Sequence, residues 1–178
     1  MVELPDFRLT GSTGDRPIRI LPLTLEDVSY EVNGMRLIKN LSATFSPDTL
    51  SVVLGPNGAG KSLLLRLCHG LIEPTNGQLQ WKERHNHIVR RFQAMVFQRP
   101  IMLRRSVFSN LEHGLRHRRV GKHERLRRIE EILDSTGLAR LGRVAARSLS
   151  VGEQQRLAVA RAWSLDPEVL FLDEPTAA

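Results

Sequence analysis

Eight consecutive residues, Gly55-Pro56-Asn57-Gly58-Ala59-Gly60-Lys61-Ser62, carry the most legible chemistry in this chain. They fit the pattern G-x-x-x-x-G-K-[ST], in which backbone N–H groups turn inward to meet phosphate oxygens. Glycine permits that turn because it has no Cβ to clash. An apolar run, TLSVVLG, precedes the loop and reads as a buried strand, and GAGKSLLLRLCHGL continues it with leucines at helical density. A helix beginning near Lys61 would point its positive dipole end at the same phosphates. Lys61 can reach β- and γ-phosphates, and the Ser62 hydroxyl can ligate Mg²⁺. This is the chemistry of a nucleoside triphosphate site.

A second constellation lies near the end of the chain. Val169-Leu170-Phe171-Leu172-Asp173-Glu174 reads as an apolar strand closed by two carboxylates. In a parallel sheet, the carboxyl ends of the strands face the ligand crevice. Asp173 is expected to hold the Mg²⁺ shell, and Glu174 to polarise a water for attack on the γ-phosphate. Many nucleoside triphosphatases carry both pieces, so they do not select a family.

The third motif does. Leu149-Ser150-Val151-Gly152-Glu153-Gln154-Gln155-Arg156 begins 17 positions before Asp166-Pro167. Ser150 followed three residues later by Glu153 is a capping box, which starts a helix whose first N–H groups can receive an anion. The octapeptide resembles the signature of ATP-binding cassette (ABC) proteins, usually LSGG followed by Q or E. The resemblance implies an α/β fold: a P-loop nucleoside triphosphatase core of ABC type, with an antiparallel β subdomain and an inserted helical subdomain. It implies ATP and Mg²⁺ as ligands and ATP hydrolysis as the activity. It also implies that two copies pair head to tail, with Ser150 and Gly152 of each closing on the γ-phosphate held by the other's loop. By order and spacing, Tyr30 is similar to the family's adenine-stacking aromatic. Gln98, at the end of AMVFQ, is similar to the glutamine that touches Mg²⁺ and water and links core to insert. Of the residues carrying the reaction, Lys61, Gln98 and Glu174 match the catalytic positions; Ser62, Gln98 and Asp173 match the metal ligands.

These residues need elements to position them. LTLEDVSYEV, MRLI after Asn33-Gly34, LSATF, GQLQWK, AMVFQ and VLFLD read as strands, and Asn-Gly between two such runs signals a hairpin. Amphipathic helices are expected over 106–118 and 122–136, punctuated by Gly121 and Gly137, with another over about 151–164. The expected organisation is a loose leader over 1–22 and a cassette over 23–178, its core at 23–98 and 165–178 and its helical subdomain at about 99–164.

Composition narrows the class. The chain has 178 residues, 41% hydrophobic and 25% charged, within the globular range. No run of about 18 uncharged apolar residues is present, as a membrane-spanning helix needs. The first residues lack the basic start and apolar stretch of a signal peptide, so an intracellular protein is expected. The single cysteine, Cys68, lies among leucines and reads as core packing. Net charge is +7, but 13 Lys or Arg stand against 5 Asp or Glu between Arg99 and Arg147. The rest therefore nets −1: a basic module sits inside a near-neutral one.

Two departures from the family pattern stand out. Val151 replaces a usual glycine, a change that the first helical position tolerates. After Glu174-Pro175-Thr176 only two alanines remain, and all six histidines precede the acidic strand, so none matches the family's γ-phosphate histidine. The chain therefore reads as incomplete at its C-terminus, expected to bind ATP weakly and hydrolyse it poorly. Robust steady-state turnover by these 178 residues would contradict that expectation.

Within the family, the segments around Gln98–Val107 and His69-Gly70-Leu71 look most like cassettes of tungstate-type oxyanion importers. That resemblance implies a separate membrane permease, a solute-binding protein and a cytoplasmic position on the inner membrane face, with no direct nucleic-acid partner. The basic insert then either docks the permease near anionic lipid or is a solvated face. A soluble cassette acting on nucleic acid or ribosomes, and a catalytically silent fragment, are the alternatives. Against DNA-repair cassettes, Leu149 follows Ser62 by only 87 positions, with no heptads between.

Overall fold

A computed structural model describes residues 20–83 and 85–174. The leader expected over 1–22 falls outside the described residues up to position 19, as do the last four residues. The described chain forms two compact units, residues 20–93 and 94–174.

The first unit is built on an antiparallel sheet of order β2-β1-β3, from β1 (Leu23–Val32), β2 (Met35–Phe45) and β3 (Asn76–Trp81). Asn33 and Gly34 both take positive φ, 51° and 77°, the conformation that a tight two-residue hairpin turn demands. MRLI and LSATF, expected as separate runs, form one continuous strand. Leu23, Leu25 and Val28 of β1 bury fully, as does Ile20 just before it. The backbone carbonyls of Ile20 and Pro22 accept hydrogen bonds from Lys82 N–H, so packing begins at Ile20.

Helix α1 (Lys61–His69) follows the phosphate loop. Gly70 ends it in the left-handed region, with Leu71 N–H bonded to Arg66 O at 2.9 Å and Gly70 N–H to Leu67 O at 3.0 Å. That pair of bonds satisfies carbonyls which the last helical turn would otherwise orphan. A short helix, α2 (Asn86–Arg91), was not anticipated; six residues leave too little sequence for a readable period.

The strand expected at TLSVVLG does not form. Residues 49–56 have no ladder partner, and Leu50, Val52 and Leu54 are 92%, 67% and 87% exposed. An apolar run predicts burial, whereas a strand requires a neighbouring edge, and neither sheet in the described residues takes this segment in.

The second unit pairs β4 (Gln93–Val96), which begins at the boundary, with β5 (Val169–Leu172), alongside α3 (Val107–His117), α4 (Lys122–Ser135) and α5 (Val151–Trp163). Val107, Leu111 and Leu115 of α3, Ile129 and Ile132 of α4 and Leu157 of α5 meet in one core at 0–1% exposure. The spacing of Val107, Leu111 and Leu115 is the apolar stripe a packed helix needs. Ser106 caps α3 by accepting from Ser109 N–H at 3.1 Å.

Candidate functional site

In the first unit, the phosphate loop runs from Gly55 to the first turn of α1. Gly60 occupies the N-cap with φ 90°, a conformation that a side chain would strain. Being glycine, it also offers no side-chain acceptor to the first-turn amides, and no acidic residue lies in that turn. The dipole at this helix end favours an anion there. The Lys61 ammonium curls back over the loop and donates to the carbonyls of Gly55, at 3.0 Å, and Pro56, at 3.1 Å. Ser62 follows it in the first turn.

The sheet brings Tyr30 toward this loop. Tyr30 of β1 is paired in register with Ile38 of β2. A Cβ placed on Gly60 would lie 3.6 Å from the Ile38 side chain and 3.4 Å from Leu37 O. Tyr30 is thus the cross-strand partner of the residue whose side chain would meet a Cβ on Gly60.

Two neighbouring side chains extend this region, Cys68, buried as its core-packing reading expects, and His69. Burial pushes the Cys68 thiol up to about 12, which keeps it protonated and inert. His69 is held below its ordinary value of 6.5, first by burial and then by the nearby Arg90 cation. Gln93 reaches back to donate to His69 O at 3.0 Å.

In the second unit, the acidic strand end is assembled. Asp173, at 3% exposure, is nearly enclosed, and its N–H bonds to Val96 O at 3.0 Å. Gln98 Nε2 donates to Glu174 Oε2 at 2.8 Å, so two residues 76 positions apart meet directly. Glu174 itself has φ 46°, an uncommon backbone state for a non-glycine residue. Such strain persists where surrounding structure fixes it, and functional sites collect it.

The capping box at α5 forms fully. Glu153 N–H donates to Ser150 Oγ at 3.4 Å, and Ser150 N–H donates to Glu153 Oε2 at 2.8 Å. The Ser150 hydroxyl also donates to that carboxylate at 2.7 Å, and these bonds hold the Glu153 carboxyl below the usual carboxylate range. Val151 takes the first helical position and is exposed, and a Cβ on Gly152 would meet nothing within 4 Å. Within one chain, nothing requires position 152 to be glycine.

A buried amide behind Gln98 escaped the sequence reading. Asn110, at 0% exposure, donates to Ser106 O at 2.9 Å and accepts from Leu103 N–H at 3.1 Å. Arg161 of α5 donates to Ile101 O at 3.0 Å, and Arg147 to Met102 O at 3.3 Å. The segment after Gln98 is therefore fastened to the same helix that carries the capping box. A polar residue interrupting the stripe of Val107, Leu111 and Leu115 was the available signal.

Loop, acidic strand and capped helix together define a nucleoside-triphosphate-binding α/β domain. Comparison with known proteins fixes the family: a model for ABC transporters matches residues 38–177, and the chain belongs to that family as an ABC-type ATPase domain. It is 34% identical over 157 residues to the tungstate uptake system ATP-binding protein of Peptoclostridium acidaminophilum, spanning 88% of this chain and 73% of that one. It is 40% identical over 162 residues to an Fe(3+) ions import ATP-binding protein of Brucella abortus, spanning 89% of this chain but only 46% of that one. Among solved structures, a Clostridium perfringens protein described as part of the ABC transporter complex cbiONQ superposes with a TM-score of 0.77 at 28% identity. That match covers 88% of this chain and 66% of the other.

Proposed function

We propose that this chain is the ATP-binding and ATP-hydrolysing part of an importer, powering solute passage through a separate membrane permease. The observation that carries the reading is the pair of helix starts on the two units: the Gly60 end of α1, with no side-chain cap, and the Ser150-capped end of α5. In an isolated ATPase one such end suffices. Two of them, one per unit, suit a triphosphate held between facing copies, head to tail. The open surface at Gly152 supports this, because a closely approaching partner supplies the reason for glycine that the chain itself lacks.

In this reading Gly55, Pro56, Asn57, Gly58, Ala59 and Gly60 wrap the phosphates, Lys61 neutralises them, and Tyr30 stacks on the adenine. Ser62, Gln98 and Asp173 supply hydroxyl, amide and carboxylate oxygens, a hard donor set that suits Mg²⁺. When bound, the ion offsets charge developing on the transferred phosphoryl group. Glu174 accepts the proton of the attacking water while Gln98, bonded to it, orients that carboxylate. Closure of the two copies moves the helical subdomain, and the fastened segment Gln98–Val107 passes that motion to the permease.

The solute is a tungstate-type oxyanion, and a solute-binding protein delivers it. The tungstate uptake relative supports this, as a match that spans 88% of this chain and 73% of its own. No helix among the described residues is long and apolar enough to cross a membrane, which suits a peripheral subunit on the cytoplasmic face. Affinity capture from solubilised membranes tests the partner: an integral membrane protein is expected, and recovery of RNA or DNA instead would refute the reading. Tungstate accumulation should fall on deletion of the gene; unchanged uptake would overturn the choice of solute.

A further inference from the structure

The basic surplus of residues 99–147 is not shared evenly between its helices. On α4 the arginines are answered by acids. Arg125 meets Glu112 at 3.2 Å, Arg127 meets Glu124 at 2.8 Å and Glu131 at 2.5 Å, and Arg128 meets Glu124 at 2.6 Å. Those bonds, that of Arg128 foremost, hold the Glu124 carboxyl below the ordinary range. This face is internally neutralised.

The C-terminal half of α3 is built differently. His113, Arg116 and His117 stand at i, i+3 and i+4 on one exposed face, and with Arg105 they line a groove of about 380 Å³. No acidic side chain among the described residues pairs with any of the four. The helix cannot roll to hide them, because Val107, Leu111 and Leu115 anchor its other face in the core. Guanidinium groups present planar forks that match phosphate oxygens, and imidazoles add N–H donors whether charged or neutral. A concave cluster of this composition without a carboxylate is suited to an anion with several oxygens.

We propose that this groove binds phosphate, and specifically the headgroup of an anionic phospholipid, seating the helical unit on a membrane surface. The phosphate chemistry follows from the four side chains. The choice of lipid over free phosphate rests on the importer reading, in which the unit works beside a permease. Each arginine close to an anionic leaflet changes binding by about fivefold.

Co-sedimentation of the full chain with phosphatidylcholine vesicles, with and without phosphatidylglycerol, tests this at fixed ionic strength. Binding is expected only to the anionic vesicles. R105A/R116A should weaken it by about 25-fold, two such steps, and R105K/R116K should keep most of it. R127A/R128A removes the same number of charges from α4, outside the groove, and should weaken binding distinctly less than R105A/R116A does. Equal loss in both alanine doublets would overturn the groove in favour of diffuse charge. Tight binding of inorganic phosphate that R105A/R116A abolishes, by a chain that ignores vesicles, would overturn the lipid assignment. Retention of a fluorescent ATP analogue is measured alongside. A chain that holds ATP yet shows neither vesicle binding nor phosphate binding that depends on Arg105 and Arg116 overturns the groove and leaves the importer reading intact.

Discussion

In residues 20–93 the reactive groups belong to an exposed turn of backbone, whereas in residues 94–174 they hang from a packed helical core. The phosphate loop depends on Gly60 at φ 90° and on a helix end without a side-chain cap. Gln98, Glu174 and Ser150 depend instead on side-chain bonds and on the burial behind them. The difference teaches where each unit is vulnerable. A backbone device fails through a change of conformation that leaves the fold standing. A packed device fails through loss of volume or of a partner, and stability falls with function.

The sharpest way to separate the two is chemical. Glu174→Gln keeps the side chain's size and removes its basicity, so ATP turnover should fall by about 10²- to 10⁴-fold while ATP is still retained. Unchanged turnover would remove Glu174 from its role. Next is the core. Leu157, fully buried, should cost about 2–5 kcal/mol when cut to alanine, read as a lower denaturant midpoint. A shift under about 0.5 kcal/mol, the range of ordinary surface changes, would mean that α5 is not packed as described.

Gly60→Ala probes the other region. An L-residue forced to positive φ costs on the order of 1–3 kcal/mol, so nucleotide affinity should drop by about 5- to 150-fold. The melting of the second unit should not move. Gly152→Ala, by contrast, should leave monomer stability unchanged, because its Cβ meets open space. If Gly152→Ala destabilised the monomer and Gly60→Ala did nothing, the comparison would be reversed.

The smallest effect is the cap. Ser150→Ala should destabilise α5 by about 1 kcal/mol. Glu153 adds a pH signature to the same bond: its carboxyl is held low in the folded chain, relative to the ordinary 4.5. Its contribution is therefore present above pH 4.5 and lost as pH falls through the lowered folded value. His69 runs the same way at higher pH, since the unfolded histidine takes up a proton below 6.5 while the folded one resists. Acid titration of helicity in Ser150→Ala should show a smaller Glu153 component, since the backbone bond remains, and keep that of His69. An unaltered acid limb would show that the box does not couple to folding.

Much of this arrangement was legible before any coordinates. Glycines at fixed offsets, Ser150 with Glu153 three residues on, and apolar stripes at helical spacing each have a local physical cause. α1, α3, α4 and α5 accordingly fall within a residue or two of expectation. What escaped depends on distant neighbours. TLSVVLG is apolar enough to bury, yet whether it pairs is decided by a sheet edge that its own residues do not contain. Asn110 and Arg161 lie 51 positions apart, and only folding shows that they fasten one segment together. Gln98 and Glu174 each had a role from family position, but their direct hydrogen bond was not foreseen.

Sedimentation of Glu174→Gln with and without Mg·ATP most directly asks whether triphosphate is gripped by two facing copies. A dimer is expected with nucleotide and a monomer without it, with the dimer lost on adding Lys61→Ala or Ser150→Ala. Identical sedimentation in both conditions, by a chain shown to have bound ATP, would contradict the shared grip.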